Sequence, residues 1–286
     1  MTNIKIAVVD LMGGFGNQIF QLTFAKYLET NGFKVYINKY WYENQDFLDG
    51  TTKRNLEVNI KDFGFEEISK LCLILFNSLD KLSRKRGLRR LFNSKINSIY
   101  KLNTGHDFNE SQFFVFNRFS GYWQNIEYFK GKEKYILESL NKDTLFASHL
   151  SNNNNGKTLV HIRKGDYVNL KEELPYSYFE NCLQILNDTF RNIKYDIFSD
   201  DINQNLENII FVNAENIFIN KDEKAIETFS KMLNYKNYIL SNSSFSFLAA
   251  FLSEKKDSEI FYPLPWFKGS KHPVPVLDSW HKVEYE

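Results

Sequence analysis

Ile4 to Val9 is apolar but for Lys5, a run ended by Gly13-Gly-Phe-Gly16. Ile19, Phe20, Thr23, Phe24, Tyr27 and Leu28 then recur at helical spacing. A strand that is apolar on both faces must be covered on both faces, which favours a parallel sheet with helices on either side. Asn31-Gly32 supplies the stop for the helix, and Val35 to Ile37 reads as the next strand, so the chain opens as a βαβ unit.

The alternation returns in the second half. Thr158 to Ile162, Tyr195 to Phe198, Tyr238 to Leu240 and Ile260 to Tyr262 read as strands; Tyr176 to Phe190, Glu223 to Leu233 and Phe245 to Leu252 read as helices. Between the halves lies Ser151-Asn-Asn-Asn-Asn-Gly156, a polar low-complexity stretch that reads as a linker. It falls one residue short of a phosphate-binding Gly-x-x-x-x-Gly-Lys-Thr loop, but Ser151 replaces the first glycine and a strand follows where a helix is required. The expectation is an α/β protein of two doubly wound, Rossmann-like domains facing a cleft, residues 1–150 and 157–286. In such sheets ligands gather at the carboxyl ends of the strands.

Glu66 to Lys101 reads as helical. Residues 81–101 carry eight basic side chains and no acid, just after the apolar Leu71-Cys-Leu-Ile-Leu-Phe76. That segment is a candidate for peripheral contact with anionic lipid headgroups, set against a solvated helix face. The apolar start of the chain is too short for a signal peptide and reads as a strand, and no run approaches the ~20 apolar residues of a membrane span. A cytoplasmic protein is expected, peripheral on the inner face of the membrane if the basic segment binds there. The net charge of +1 gives no global field for nucleic acid. Only Cys72 and Cys182 occur, outside any metal-ligand or disulfide spacing, and both are expected to be buried thiols.

Four polar blocks sit where strands end. Gly13-Gly-Phe-Gly-Asn-Gln18 lets a ligand approach the backbone at a helix N-terminus and adds two amides; a plain tight turn is the alternative. His161-Ile-Arg-Lys-Gly-Asp-Tyr167 places a guanidinium fork suited to a diphosphate beside an imidazole and a carboxylate; an Arg163–Asp166 ion pair is the alternative. Phe198-Ser-Asp-Asp201 offers adjacent carboxylates, more often a cap than a ligand site. Ser241-Asn-Ser-Ser-Phe-Ser246 has more hydroxyls than N-capping needs. Tyr262-Pro-Leu-Pro-Trp266-Phe267 reads as packed chain before stacking surface.

In this order the blocks resemble the bacterial α-1,2-fucosyltransferases. Gly13-Gly-Phe-Gly-Asn-Gln-Ile-Phe-Gln21 is similar to their N-terminal signature and His161 to Tyr167 to their HxRRGDY motif; the other two blocks match further family segments. Lys164 stands where the family usually has a second arginine, and Phe247-Leu248 where tryptophans are common. The resemblance implies a GT-B-like fold with the acceptor on the N-terminal domain and the donor on the C-terminal one. It implies inverting transfer of L-fucose from GDP-fucose to the 2-hydroxyl of a galactose-terminated glycan or lipid-linked oligosaccharide. No metal or other cofactor is implied. Arg163, Asp166 and His161 are the catalytic candidates: Arg163 for the leaving diphosphate, Asp166 as general base, His161 as the alternative base. Gly14, Gly16, Asn17, Gln18, Lys164, Asp200, Asp201, Ser243, Ser244 and Phe245 are the donor-binding candidates. The rivals are another GDP-sugar transferase and a catalytically silent carbohydrate- or nucleotide-binding protein. A dinucleotide oxidoreductase is disfavoured because the loop lacks Gly-x-Gly-x-x-Gly spacing.

Overall fold

The computed structural model describes residues 5–45, 53–84, 100–105, 115–150, 156–200, 208–219, 223–253, 257–269 and 275–285. Asp201, residues 151–155 of the expected linker and residues 85–99 of the basic segment lie outside this set. The chain forms two compact units, Met1–Leu140 and Asn141–Glu286.

The first unit holds β1 (Lys5–Asp10), α1 (Phe15–Thr30), β2 (Phe33–Asn38), β3 (Glu66–Glu67), α2 (Lys70–Arg84), β4 (Tyr100–Thr104), β5 (Phe116–Ser120) and α3 (Glu133–Leu140). The strands are all parallel, in the order β3-β2-β1-β5-β4. Ala7, Val8 and Val9 in central β1 are fully buried, as the apolar run requires. Helix α1 buries Ile19, Phe20, Leu22, Phe24 and Leu28, and Gly32, at φ +83, takes the left-handed conformation that turns the chain into β2. Phe24 stacks on Trp123 at 4.4 Å and meets Phe119 edge-on at 5.3 Å. Large side chains buried this fully contribute roughly 1.5–3 kcal/mol each.

The second unit holds α4 (Thr144–His149), β6 (Thr158–Ile162), α5 (Gly165–Leu170), α6 (Tyr176–Phe190), β7 (Tyr195–Ser199), β8 (Asn216–Ile219), α7 (Ala225–Met232), β9 (Asn237–Ile239), α8 (Ser244–Ser253), β10 (Ile260–Leu264) and β11 (His281–Glu284). Its strands are also parallel, in the order β11-β10-β9-β6-β7-β8. Tyr178, Phe179 and Cys182 of α6 pack with Val160, Ile162 and Ile197 from the strands. Burial pushes the Cys182 thiol up to about 12, so it is an inert core group.

Three expectations need correction. The break between units falls at Leu140/Asn141, ahead of the Ser151–Gly156 stretch. Helix α4 belongs to the second unit, where Phe146 is fully buried with its ring stacked 6.5 Å from that of Phe229. Among the described residues of 66–101 the helical reading holds for α2, whereas Glu66–Glu67 and Tyr100–Thr104 are strands, the latter pairing with β5 at the sheet edge. Cys72 is exposed: Phe76 is the α2 side chain that turns inward, onto Tyr100 and Phe116. Among the described residues no helix is long and apolar enough to cross a membrane.

Candidate active site

In the second sheet the chain winds from β6 to β7 and β8 on one side, then returns to lay β9, β10 and β11 on the other. The loops after β6 and β9 therefore part beside each other, which is where a doubly wound sheet opens a crevice. Ser241, just beyond β9, stitches these loops: its hydroxyl donates to the His161 carbonyl and accepts from the Arg163 N–H at 3.0 Å. Ser243 Oγ accepts from the Phe245 N–H at 3.3 Å and so caps α8. Ser246 donates back to the Ser241 and Ser243 carbonyls at 3.4 and 3.3 Å. Two of the surplus hydroxyls, Ser241 and Ser246, thus hold the loop's own backbone. Ser244, half-buried, is the first residue of the helix.

Arg163 follows β6 directly, and its fork is divided between two carboxylates: one nitrogen lies 2.6 Å from Asp166 Oδ1, the other 2.7 Å from Asp200 Oδ2. The expected Arg163–Asp166 ion pair is present, and Asp200 is a second partner. The other oxygen of Asp200 accepts from the Lys164 N–H at 2.8 Å. A Cβ on Gly165 would stand 2.5 Å from Asp200 Oδ2, so this carboxylate occupies the room that the missing side chain leaves. The guanidinium lies 5.4 Å from the Tyr167 ring, whose hydroxyl donates to the Asn242 carbonyl at 3.0 Å. Burial pushes the Tyr167 phenol up to about 12. The Lys164 ammonium turns to the ring of Tyr176, 4.7 Å away.

His161 is 5% exposed, and its Nδ1 is buried without a hydrogen-bond partner. Its ring lies 6.2 Å from that of Phe245. Burial, and then the charge of Arg163, push its pKa down to about 3. An imidazole held that low is neutral and a weak base.

The glycine-rich loop belongs to the first unit. Gly13, at φ +80, is left-handed, and Gly14 is the N-cap of α1 without a side-chain cap bond; Gly16 lies in the first turn. Asn17 Oδ1 accepts from Gln124 Nε2 at 2.7 Å. Gln18 is fully buried: its Nε2 donates to the Gly13 and Asn55 carbonyls at 3.2 and 2.8 Å, and its Oε1 accepts from the Glu57 N–H at 2.9 Å. Its amide ties backbone segments together, a structural task in place of the ligand contact expected of it. Among the described residues no group of three or more His, Cys, Asp or Glu side chains is placed to hold a metal ion.

The sequence profile described as glycosyl transferase family 11 matches residues 8–264. The chain belongs to that family. An alpha-1,2-colitosyltransferase of Escherichia coli is 28% identical over 98% of this chain and 100% of its own. The O-antigen biosynthesis glycosyltransferase WbnK of Escherichia coli is 32% identical over 44% of each chain. Among solved structures, a mutant of Arabidopsis thaliana FUT1 in complex with GDP superposes with a TM-score of 0.52, at 12% identity, over 92% of this chain and 72% of that one. The protein is thus a family 11 glycosyltransferase with a GT-B-like α/β fold of two doubly wound units.

Sequence reading missed two parts of this transferase. Asp10, at the end of β1, pairs with Arg118 of β5 at 2.9 Å and accepts from Asn38 at 2.7 Å, a buried polar knot whose members lie far apart in sequence. Asn242 is buried with Nδ2 bonded to the Glu172 carbonyl at 2.9 Å and Oδ1 unpartnered.

His161 makes acid stability a direct readout of the site. Its unfolded-state value is the ordinary 6.5, while the folded protein takes the proton only near 3. Between those values the unfolded chain holds a proton that the native state lacks. Stability is therefore lost as pH falls through that window, by up to roughly 1.4 kcal/mol per unit, and is unaffected above it. His161→Asn is expected to have a shallower acid limb in urea unfolding followed from about pH 7.5 to about pH 5. Parallel limbs for wild type and variant would show that His161 titrates normally.

Proposed function

We propose that the protein transfers L-fucose from GDP-fucose to the 2-hydroxyl of a galactose-type acceptor, with inversion at the anomeric carbon. The observation that carries the reading is the convergence, in a family 11 chain, of Arg163 and the N-terminus of α8 at the switch point of the second sheet. Those groups suit a nucleoside diphosphate, which gains negative charge as its bond to the sugar breaks. In this reading the second unit takes the donor, through Arg163, Lys164, Asp200, Ser243, Ser244 and Phe245, and the first takes the acceptor. The β-phosphate leaves against the Arg163 fork and the first N–H groups of α8. Asp166 removes the acceptor proton as the hydroxyl oxygen attacks the anomeric carbon. The positive potential comes from protein groups, so transfer needs no metal.

The relative named as an alpha-1,2-colitosyltransferase supports a second reading, in which the transferred sugar is colitose, the 3-deoxy analogue of fucose. A pocket that hydrogen-bonds the 3-hydroxyl of fucose would reject that analogue strongly, whereas an apolar one would discriminate weakly.

The test presents both GDP-sugars, a UDP-sugar and NAD with a panel of galactosides, in the presence and absence of chelator, and reads the product linkage. The expected result is an α-1,2-fucosylated galactoside whose yield is unchanged by EDTA. Preference for the 3-deoxy sugar would move the assignment to the second reading. GDP-sugar binding without transfer would make the protein a binding module, and loss of activity in EDTA restored by Mn²⁺ would overturn the metal-independent mechanism.

A further inference from the structure

The first sheet has a switch point of its own, and the loop after β5 that borders it has been given no role. The chain runs from β1 to β2 and β3 on one side, then places β5 and β4 on the other, so the loops after β1 and β5 part beside each other. Gln21, fully buried on α1, spans them: its Oε1 accepts from the Met12 N–H at 3.0 Å and its Nε2 donates to the Gly121 carbonyl at 3.0 Å.

The loop after β5 is built to put one ring outside. Gly121 has φ +155, and a Cβ there would stand 2.6 Å from the Gly105 carbonyl oxygen. Trp123 is held left-handed at φ 54 with its indole fully buried on Phe24 and its Nε1 unpartnered. That backbone is unfavourable for an L-residue, and the tight indole packing holds it there. The residue between them, Tyr122, is 40% exposed. Its ring reaches back over the glycine loop, where Cε1 lies 3.2 Å from the position of a Cβ on Gly13. Tyr42 donates its hydroxyl to the Gly13 carbonyl at 2.9 Å, and Gln124 holds Asn17 at 2.7 Å beside it.

A partly exposed aromatic ring bordered by fixed amides, on loops locked together from below, has the chemistry of a pyranose seat. A hexose presents an apolar C–H face to a ring and a rim of hydroxyls to amides. We propose that the crevice beyond β1 and β5 binds the terminal galactose-type ring of the acceptor, with Tyr122 as the stacking face and Gln124 and Asn17 as the hydroxyl partners. The proposal rests on the transferase reading above and deepens it by naming the acceptor subsite. It also moves Asn17 from the donor to the acceptor.

The experiment uses the full chain and methyl β-galactoside as the probe. For wild type, Tyr122→Ala, Tyr122→Phe and Gln124→Ala, it measures melting temperature, GDP affinity, donor KM and acceptor KM. Tyr122→Ala is expected to raise the acceptor KM about tenfold and leave donor KM and GDP affinity within about twofold. Tyr122→Phe, which keeps the ring, stays within about threefold of wild type, and Gln124→Ala raises the acceptor KM about threefold to fivefold. An unchanged acceptor KM in folded Tyr122→Ala, or a rise in donor KM instead, overturns the proposal. If Tyr122→Ala does not fold, an unchanged acceptor KM in Gln124→Ala does so. Failure of the transferase reading has a different signature, a wild type that neither binds GDP nor transfers. In that case saturation-transfer NMR with methyl β-galactoside decides: signal lost in Tyr122→Ala upholds the seat, and signal retained removes it.

Discussion

Arg163→Ala is expected to lower turnover by about a hundredfold to a thousandfold, the range for one preorganised donor at a site of developing charge. The loss should exceed what any change in folding explains. The side chain is 20% exposed and its two carboxylate partners are similarly open, so removing it costs on the order of 1–2 kcal/mol of stability. A domain stable by ~5–15 kcal/mol stays folded after that loss. Arg163→Lys should recover little: one ammonium cannot lie between Asp166 and Asp200 and also present a second donor to a phosphate. Melting temperature and turnover measured on the same purified variants decide the matter. Near-normal turnover in a folded Arg163→Ala protein would make the residue a structural partner of Asp166 and Asp200 and nothing more.

Gly165→Ala is expected to cost about tenfold to a hundredfold in turnover, again with the fold intact. The added methyl would stand 2.5 Å from Asp200 Oδ2, closer than a real Cβ contact allows, so the carboxylate has to move. That carboxylate holds the Lys164 N–H with one oxygen and Arg163 with the other, so a shift disturbs both at once. The backbone of Gly165 is not left-handed, so alanine brings no conformational strain and the effect isolates the clash. The double variant Gly165→Ala with Asp200→Ser relieves the overlap and separates steric from electrostatic loss. The prediction fails if Gly165→Ala alone turns over at the wild-type rate.

Much of the fold was legible because its strands are covered on both faces. Helix Tyr176–Phe190 has the bounds read from its periodicity, and strands β6, β7, β9 and β10 lie where the apolar runs put them. Strands β4 and β5 were missed: their residues mix polar and apolar types, and Arg118 is accommodated in β5 because Asp10 and Asn77 receive its guanidinium. In the candidate site, the clustering of the block from His161 to Tyr167 was legible, since strand-end geometry is local in sequence: Arg163 meets Asp166 three residues on. What each polar atom does was not legible. Gln18 looked like a ligand amide until its three backbone partners were seen, and Asp200 looked like a cap although its charge partner lies 37 residues earlier on another strand end. Such roles depend on which distant loops meet, and spacing along the chain carries no record of that.

The attachment of α4 to the second unit sets where this enzyme can be recombined with its relatives. Phe146, ahead of residue 150, is fully buried against Phe229 of the second unit. A chimaera that exchanges first units should therefore join the parents between Leu140 and Asn141, the point at which each core travels with its own residues. A junction in the asparagine-rich stretch, the natural choice from sequence, would bring in a foreign α4 and ask two cores selected apart to fit at an aromatic contact.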